Sequence, residues 1–391
     1  MIDLQILEKL NAPTMEERLA NLKEVLKTTT FPAMVPQYIN NHIHTTYSFS
    51  PYSPTAAVYA ARMEGLCTAG IVDHDAINGA PEFLRAGELI GMPVTVGMEC
   101  RASMAGTRLE GRRTNNPDQV GVSYMTLQGI PHGQVERLDA FFVPYRAHRN
   151  ARNRAMVAGI NGLLAGSGID LDFDRDVLPL SEARHGGGVT ERHLMYALAC
   201  KLVERYGRGQ ALVDFLGGLG IALSQKQLGQ MMDLSYPFYA YDLLGILKSA
   251  FVPKIYVPAT DECPKVQELV ALAAETDAVL CYAYLGDVGE SVTGDKKAQK
   301  FEDDYLEDVF EFLKECGIRA VTYMPTRNTP QQLERLRGLC EQYGIFQVSG
   351  EDINSPRQSF AIKAMENPMF ANLIDATWKL IEHETKGTPC C

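Results

Sequence analysis

Residues 37–100 contain, in order, QYINNHIH (37–44), TAAVYAARMEGL (55–66), TAGIVDHD (68–75), APEFLRAGELIG (80–91) and MPVTVGMEC (92–100). The first, third and fifth segments have strand character, and the two between them have helical periodicity. This strand–helix alternation predicts a parallel α/β fold. Polar side chains close each strand: His42 and His44, then Asp73 and His74, then Glu99. In a β/α barrel that end of the strands carries the chemistry.

The pattern His42-Ile43-His44 places two imidazoles on one face of a strand. Neutral imidazoles bind zinc, iron or manganese, although an isolated pair is more often two ordinary polar residues at a strand end. Here His74 and Glu99 fall at matching strand ends, which favours a metal site. A carboxylate among imidazoles can bridge two ions.

The remainder of the chain divides by pattern into four segments. Residues 1–36 are expected to begin with one helix over 1–30, and 37–149 to form the first part of a barrel. In that part we expect a surface insertion at 101–133, rich in Gly, Asn, Thr and Arg, and a strand at AFFVPY (140–145). Residues 150–250 predict a mostly helical insertion, and 251–391 the second part of the barrel with a C-terminal helix.

The α/β rhythm of the last segment alternates apolar strands with amphipathic helices. Helices are predicted at KVQELVALAAET (265–276), YLEDVFEFLKECG (305–317), TPQQLERLRGLCEQYG (329–344) and MFANLIDATWKLIEHE (369–384), and strands at AVLCYAYLG (278–286), AVTYMP (320–325) and FQVSGEDIN (346–354).

Composition excludes several classes of protein. The 391 residues carry 37 basic and 48 acidic side chains, a net charge of -11, which argues against binding to extended nucleic acid or an anionic membrane. No apolar run is long enough to cross a membrane, and the N-terminus lacks the order of a signal peptide. The nine cysteines include no Cys-x-x-Cys pair, so we expect reduced thiols and a cytoplasmic protein.

Three consecutive stretches carry a resemblance to a known family: HIHTTYSFSPYSP (42–54), IVDHDAINGAPEF (71–83) and VGMECRAS (96–103). They resemble the first motifs of the polymerase-and-histidinol-phosphatase (PHP) family of metal-dependent phosphoesterases. The resemblance is strong over 38–100 and weaker over 180–355. It implies a distorted seven-stranded, TIM-like β/α barrel with divalent metals at the C-terminal rim and hydrolysis of a phosphate ester by metal-activated water.

Residue by residue, the first motifs match at the expected ligands. His42 and His44 match the first ligand pair, His74 the next ligand, and Glu99 the bridging carboxylate. Asp73 matches the neighbour of the His74 ligand, which makes it a candidate catalytic residue that orients His74.

The later motifs match less completely. GGGVTERHLMYALA (186–199) resembles the family's Arg-Pro-His helix start, which makes His193 a ligand and leaves Glu191 or Arg192 near the site. VSGEDINSP (348–356) keeps Asp352 but has Asn354 in place of a histidine. CYAYLGD (281–287) has Tyr284 where the family has a histidine.

Two further family positions also differ in this chain. Phe49 replaces an aspartate ligand, and Ser48 and Ser50 beside it are poor substitutes for one. The strand predicted at 140–145 has Ala140 and Phe141 where another histidine is expected.

The resemblance implies one or two ions per chain, which can be zinc, manganese or iron. The first would use His42, His44, Glu99 and Asp352, and the second would use Glu99 with His74 or His193. The third family site is damaged.

Three basic side chains near the predicted rim remain open in role. Arg101 and Arg192 can each bind a substrate phosphate bidentately or form a surface salt bridge. His185, in the loop before Gly186, can protonate a leaving group or be a solvated loop residue.

These features predict a metal-dependent phosphoesterase acting on a small phosphorylated metabolite or nucleotide. Two alternatives remain. One is an amidohydrolase-type hydrolase of C–N bonds, because barrels with metal sites support both chemistries. The other is a degenerate barrel that binds metal or a phosphorylated ligand without turnover.

Overall fold

The structure is a computed structural model that describes residues 2–288 and 299–391; residues 289–298 of the last predicted segment lie outside the described residues. The described strands form one sheet in sequential order. They are β1 (Val35–Ile43), β2 (Leu66–His74), β3 (Val94–Ser103), β4 (Val122–Gln128), β5 (Val279–Ala283), β6 (Ala320–Tyr323) and β7 (Phe346–Ser349). Neighbouring strands are parallel, except that β4 is antiparallel to both β3 and β5.

The sheet curls into a nearly closed barrel, because the chain after β7 returns to β1. The His44 N–H donates to the Ile353 carbonyl (2.9 Å), and the Ile353 N–H donates to the His42 carbonyl (3.1 Å). Asn41 Nδ2 also donates to Ser349 Oγ (3.1 Å) inside the seam. The predicted fold class, a distorted seven-stranded β/α barrel, is confirmed.

Helices cover the barrel and form the insertion between β4 and β5. They are α1 (Leu4–Leu10), α2 (Met15–Leu26), α3 (Pro54–Met63), α4 (Ala80–Ile90), α5 (Val135–Leu163), α6 (Glu191–Tyr206), α7 (Gln210–Gly218), α8 (Gln225–Met232), α9 (Tyr239–Ile255), α10 (Val266–Thr276), α11 (Leu306–Cys316), α12 (Pro330–Tyr343) and α13 (Ala371–Lys386). In the described part of the chain, no helix is both long and apolar enough to cross a membrane.

The helical insertion has a hydrophobic cluster of its own. Side chains of α5, α6 and α9 pack there, with Met156, Leu198 and Leu247 fully buried. Phe49, from the loop after β1, belongs to this cluster. The insertion therefore packs directly on the segment that follows the first two histidines, while the division into four segments stays a prediction.

Residues 101–133 are not simply a surface insertion, as the composition had suggested. β3 continues to Ser103, and β4 lies inside this region, with Ser103 opposite Val122. On its other edge, Leu127 of β4 pairs with Leu280 of β5. β4 is stabilised partly by its pairing with β5, which lies far along the chain, so the local sequence pattern did not reveal this strand.

The predicted strand AFFVPY (140–145) is wrong, since these residues lie within α5. Leu138 and Phe142 are one helical turn apart and both fully buried against the barrel core. This i, i+4 packing outweighs the strand propensity of aromatic and β-branched residues. Pro144 lies exposed within the helix, where it removes one backbone donor.

The single helix predicted over 1–30 is also wrong, because α1 and α2 are separate. α1 ends at Leu10, and Pro13 lies in the break. Thr14 then starts α2 with a capping box, in which its side chain accepts the Glu17 N–H and the Glu17 carboxylate accepts the Thr14 N–H.

Candidate metal centre

Two histidines from the end of β1 meet through their imidazole nitrogens. His42 lies in the strand and His44 follows it, so the alternation of the extended chain places both on one side. Their Nε2 atoms are 3.2 Å apart, and their exposed fractions are 5% and 1%. Two ring nitrogens are thereby brought together in a buried place at the rim.

Strands β2 and β3 add an imidazole and a carboxylate. His74 pairs with Glu99 in the parallel register, and His74 Nδ1 lies 3.1 Å from Glu99 Oε2. The same carboxylate oxygen lies 3.7 Å from His42 Nε2 and 3.9 Å from His44 Nε2. Glu99 was expected at the end of β3; it lies inside the strand, because pairing with β4 extends β3 to Ser103.

The segment after β7 supplies the second carboxylate. Asp352 Oδ1 lies 3.3 Å from His44 Nε2. The backbone of Ile353 is fixed to β1 by the hydrogen bonds that close the barrel. Asn354 Nδ2 donates to Asp352 Oδ1 (2.7 Å), so the amide is in contact with a predicted ligand.

These side chains form two triplets whose ligand atoms converge, His42–His44–Asp352 and His44–His74–Glu99. In each triplet the candidate ligand atoms all lie within 4.8 Å of one another, and His44 belongs to both. The nitrogen and oxygen donors suit zinc, manganese or iron. The residues fit a divalent ion, since such an ion binds several deprotonated donors at one point. We call these five residues the histidine–carboxylate cluster.

Mutual charge perturbs the titration of the cluster. Burial alone would lower the pKa of His44, but Asp352 and two further carboxylates raise that pKa above its ordinary value. Burial would raise the pKa of Asp352, whereas the three imidazoles hold that pKa well below its usual range. Burial and the neighbouring His44 lower the pKa of His74, which favours a neutral ring with a free lone pair.

Asp73 lies near the Nδ1 atom of His44, at 4.0 Å, and not against His74, the ring that its motif position suggested. Its Oδ1 accepts the Thr45 N–H (2.7 Å) and the Ser48 hydroxyl (2.6 Å), and its Oδ2 accepts the Thr45 hydroxyl (2.6 Å). Burial raises the pKa of Asp73, while these donors and His44 oppose that rise. Ser48 Oγ also lies 3.1 Å from His44 Nδ1.

The predicted ligand His193 lies apart from both triplets. Its Nδ1 accepts the Thr190 N–H (3.0 Å) at the start of α6, and its ring packs edge-on against Phe49, with 4.9 Å between ring centroids. Burial and neighbouring arginines lower the pKa of His193 to about 3. Phe49 fills the space beside it, packing also against Tyr196 and Tyr241.

The other sequence candidates occupy three different environments. Arg192 donates from Nη2 to the Asn354 carbonyl (3.4 Å), and its guanidinium lies over the Phe49 ring. His185 has 63% of its side chain exposed and pairs with Glu182. Tyr284 is 2% exposed and donates its hydroxyl to Asp303 (2.6 Å).

A second set of buried side chains lies next to the cluster and consists of acidic residues and arginines. We call it the arginine network; it comprises Asp75, Arg101, Arg149, Arg152, Glu191 and Glu262. Glu191 pairs with Arg101 (3.3 Å), Arg149 (3.2 Å) and Arg152 (2.6 Å). Glu262 pairs with Arg101 and with Arg152, and Arg149 pairs with Asp75. Burial would raise the pKa of Glu191, but the three guanidinium groups hold it well below its ordinary value.

Asp75 links the network to the cluster. It follows His74 directly, its φ of 53° is left-handed, and its N–H donates to the Glu99 carbonyl (2.7 Å). Arg146 donates to its carbonyl (2.9 Å), and Arg149 contacts its carboxylate. A non-glycine residue in this conformation is held by its surroundings.

Sequence reasoning placed Arg101 and Glu191 near the site, but it missed the network to which they belong and the part played by Ser48. Arg149 and Arg152 lie three residues apart, so a helix over 135–163 would have placed them on one face. Asp75 was part of the quoted motif IVDHD, without a role. Nothing local identifies Glu262 as their partner.

Comparisons with known proteins agree with the fold. No protein-family model matches the chain, and a search of curated proteins found no match. Among solved structures, one from Bifidobacterium adolescentis ATCC 15703, assigned as a metal-dependent phosphoesterase, has a TM-score of 0.54 at 20% identity and covers 88% of this chain and 98% of its own. An amidohydrolase from Chromobacterium violaceum, solved with sulfate and no metal, has a TM-score of 0.53 at 16% identity and covers 83% and 90%. At these identities the likeness is one of fold.

Proposed function

We propose that this protein is a metal-dependent hydrolase that cleaves phosphate esters of small metabolites or nucleotides. The observation that carries the proposal is the pair of converging triplets that share His44, at the C-terminal rim of a barrel. A rim of this kind is where β/α barrels place their reactive groups. The two solved structures with a similar fold are assigned as a metal-dependent phosphoesterase and an amidohydrolase, and this supports a hydrolase.

In this proposal His42, His44 and Asp352 would hold one divalent ion, and His74 with Glu99 would hold a second. When bound, such ions supply positive charge that activates water and stabilises the charge developing on phosphoryl oxygens. The low pKa of His74 keeps its ring neutral and ready to bind. The low pKa of Asp352 keeps its carboxylate ionised.

Arg192 is the side chain we assign to the phosphate of the substrate. It contacts the backbone of Asn354, two residues after Asp352, and so lies at the same rim. A guanidinium group binds phosphate oxygens through paired N–H donors. The net charge of -11 favours a small substrate over extended nucleic acid.

The test begins with the purified chain stripped by a chelator and reloaded separately with zinc, manganese or ferrous iron. Metal per chain is measured by elemental analysis, and turnover is measured on aryl phosphates, phosphorylated metabolites, nucleotides and a matched set of amides. His44→Ala is the loss variant. His148→Ala, an exposed histidine on α5, is the control.

We expect bound metal and phosphate release in the wild type and in His148→Ala, and neither in His44→Ala. Metal-dependent cleavage of amides without phosphate release would replace the proposal with amidohydrolase chemistry. Metal binding without turnover on any substrate would support a binding barrel, and no metal binding would overturn the site itself.

A further inference from the structure

Ser48 lies between a buried carboxylate and a histidine of the cluster. It is fully buried, with its Oγ 2.6 Å from Asp73 Oδ1 and 3.1 Å from His44 Nδ1. A serine hydroxyl has one proton to donate and two lone pairs to accept with. The direction of each hydrogen bond therefore decides which His44 nitrogen carries a proton.

Asp73 is the acceptor in this arrangement. Its Oδ1 already accepts the Thr45 backbone N–H, a group that can only donate. The Thr45 hydroxyl accepts the Tyr47 N–H (3.2 Å) and so directs its own proton to Asp73 Oδ2. Both carboxylate oxygens thus receive protons from Thr45, and the Ser48 hydroxyl gives its single proton to Oδ1.

Toward His44 the Ser48 oxygen can then only accept. In the neutral His44 ring, the form that can bind a metal ion, the single proton accordingly resides on Nδ1, and Nε2 presents its lone pair. Nε2 is the atom that lies 3.2 Å from His42 Nε2 and 3.3 Å from Asp352 Oδ1. The lone pair is directed at the point where the two triplets meet.

We infer that Ser48 is a positioning residue. Because its hydroxyl donates to Asp73, it can only accept from His44 Nδ1, and it so selects the tautomer able to bind a metal ion through Nε2. This inference rests on the proposed metal-binding function. Ligating histidines commonly donate their second ring N–H to a carboxylate, a carbonyl or water. Here a serine carries that interaction from a carboxylate that the imidazole does not reach directly, at 4.0 Å.

The first experiment measures zinc affinity by competition with a chromogenic chelator in Ser48→Ala, Ser48→Thr and Ser50→Ala. Ser50 is the matched control: it is buried in the same loop, and its hydroxyl accepts the Tyr52 N–H (3.4 Å). We expect Ser48→Ala to weaken affinity by about 10- to 100-fold. Ser48→Thr, which keeps the hydroxyl, and Ser50→Ala should stay within about threefold of the wild type. Equal affinity of Ser48→Ala and the wild type would overturn the inference.

A second measurement does not depend on any Ser48 variant folding. Nitrogen-15 spectra of histidine-labelled wild type, loaded with zinc, report which nitrogen of each ring is protonated. The His44 signals are assigned by their loss in His44→Gln. We expect a protonated Nδ1 and a zinc-shifted Nε2, whereas zinc on Nδ1 would refute the relay.

The two experiments separate this inference from the proposed function. A wild type that binds no zinc contradicts the metal site, and the relay with it. A wild type that binds zinc with unchanged affinity in Ser48→Ala contradicts the relay alone.

Discussion

The histidine–carboxylate cluster and the arginine network are neighbours, yet their charges are balanced in opposite ways. In the cluster, Glu99 and Asp352 lie against imidazoles, which are positive only when protonated. In the network, Glu191 lies against three guanidinium groups, which are always positive. The cluster thus gains from an added cation, whereas the network already sets three carboxylates against three guanidinium groups. We infer that the histidine–carboxylate cluster binds metal ions and that the arginine network stabilises the fold.

The strongest test of this contrast removes His44, the residue common to both triplets. His44→Ala should weaken divalent metal binding more than about 100-fold, since without the shared ring neither triplet keeps three candidate ligand atoms. His74→Ala leaves the triplet of His42, His44 and Asp352 intact and should lose about one ion per chain. Elemental analysis after dialysis measures both variants; equal losses would mean that the triplets are not separate sites.

The network is tested by stability and not by metal content. Glu191→Gln leaves three buried arginines without their common carboxylate and should lower the free energy of unfolding by about 3 kcal/mol. Urea denaturation measures the change. The control is Glu275→Gln, which breaks an exposed pair with Arg137 and should change stability little. Loss of bound metal from folded Glu191→Gln would show that the network also holds the cluster together.

The pH dependence of that stability sharpens the same contrast. The folded-state pKa of Glu191 lies well below the ordinary value of 4.5, so its stabilisation is full above pH 4.5 and is lost as the pH falls toward the folded pKa. The stability difference between wild type and Glu191→Gln should therefore be constant between about pH 5 and 8 and shrink in more acidic solution. Urea curves at several pH values measure it, and a difference that grows on acidification would contradict this account.

The smallest effect is expected at His185, outside both groups. Its side chain is largely exposed and pairs with Glu182, so we expect His185→Ala to leave metal content and stability unchanged and kcat within about twofold. Steady-state kinetics on the best phosphate ester provide the measurement. A tenfold fall in kcat with full metal occupancy would restore His185 as a proton donor to the leaving group.

Strand periodicity predicted the parallel α/β pattern and the meeting of four cluster residues, whereas the seven-stranded barrel was predicted from the resemblance. Alternation along β1 placed His42 and His44 together, and parallel register brought His74 beside Glu99. Asp352 followed from the resemblance of its motif. His193 was predicted as a ligand from the resemblance of its motif, but its ring packs against Phe49.

What sequence could not predict depends on partners distant along the chain. β4 was missed because β5, its second partner, follows the whole insertion. Residues 140–145 were misassigned because tertiary packing of Leu138 and Phe142 overrides local strand propensity. Ser48 was weighed only as a weak ligand, since its contact with Asp73 arises where two strand ends meet.

The long insertion between β4 and β5 also constrains the order of folding. Strands β1 to β4 pair with near neighbours in sequence, whereas about 150 residues separate β4 from its partner β5. Contacts this distant are slow to form. We therefore expect β1–β4 to gain protection from hydrogen exchange first during refolding, and both the β4–β5 pairing and the closure of β1 on Ile353 later. Simultaneous protection of all of these in pulse-labelling experiments would mean that the insertion does not delay closure of the barrel.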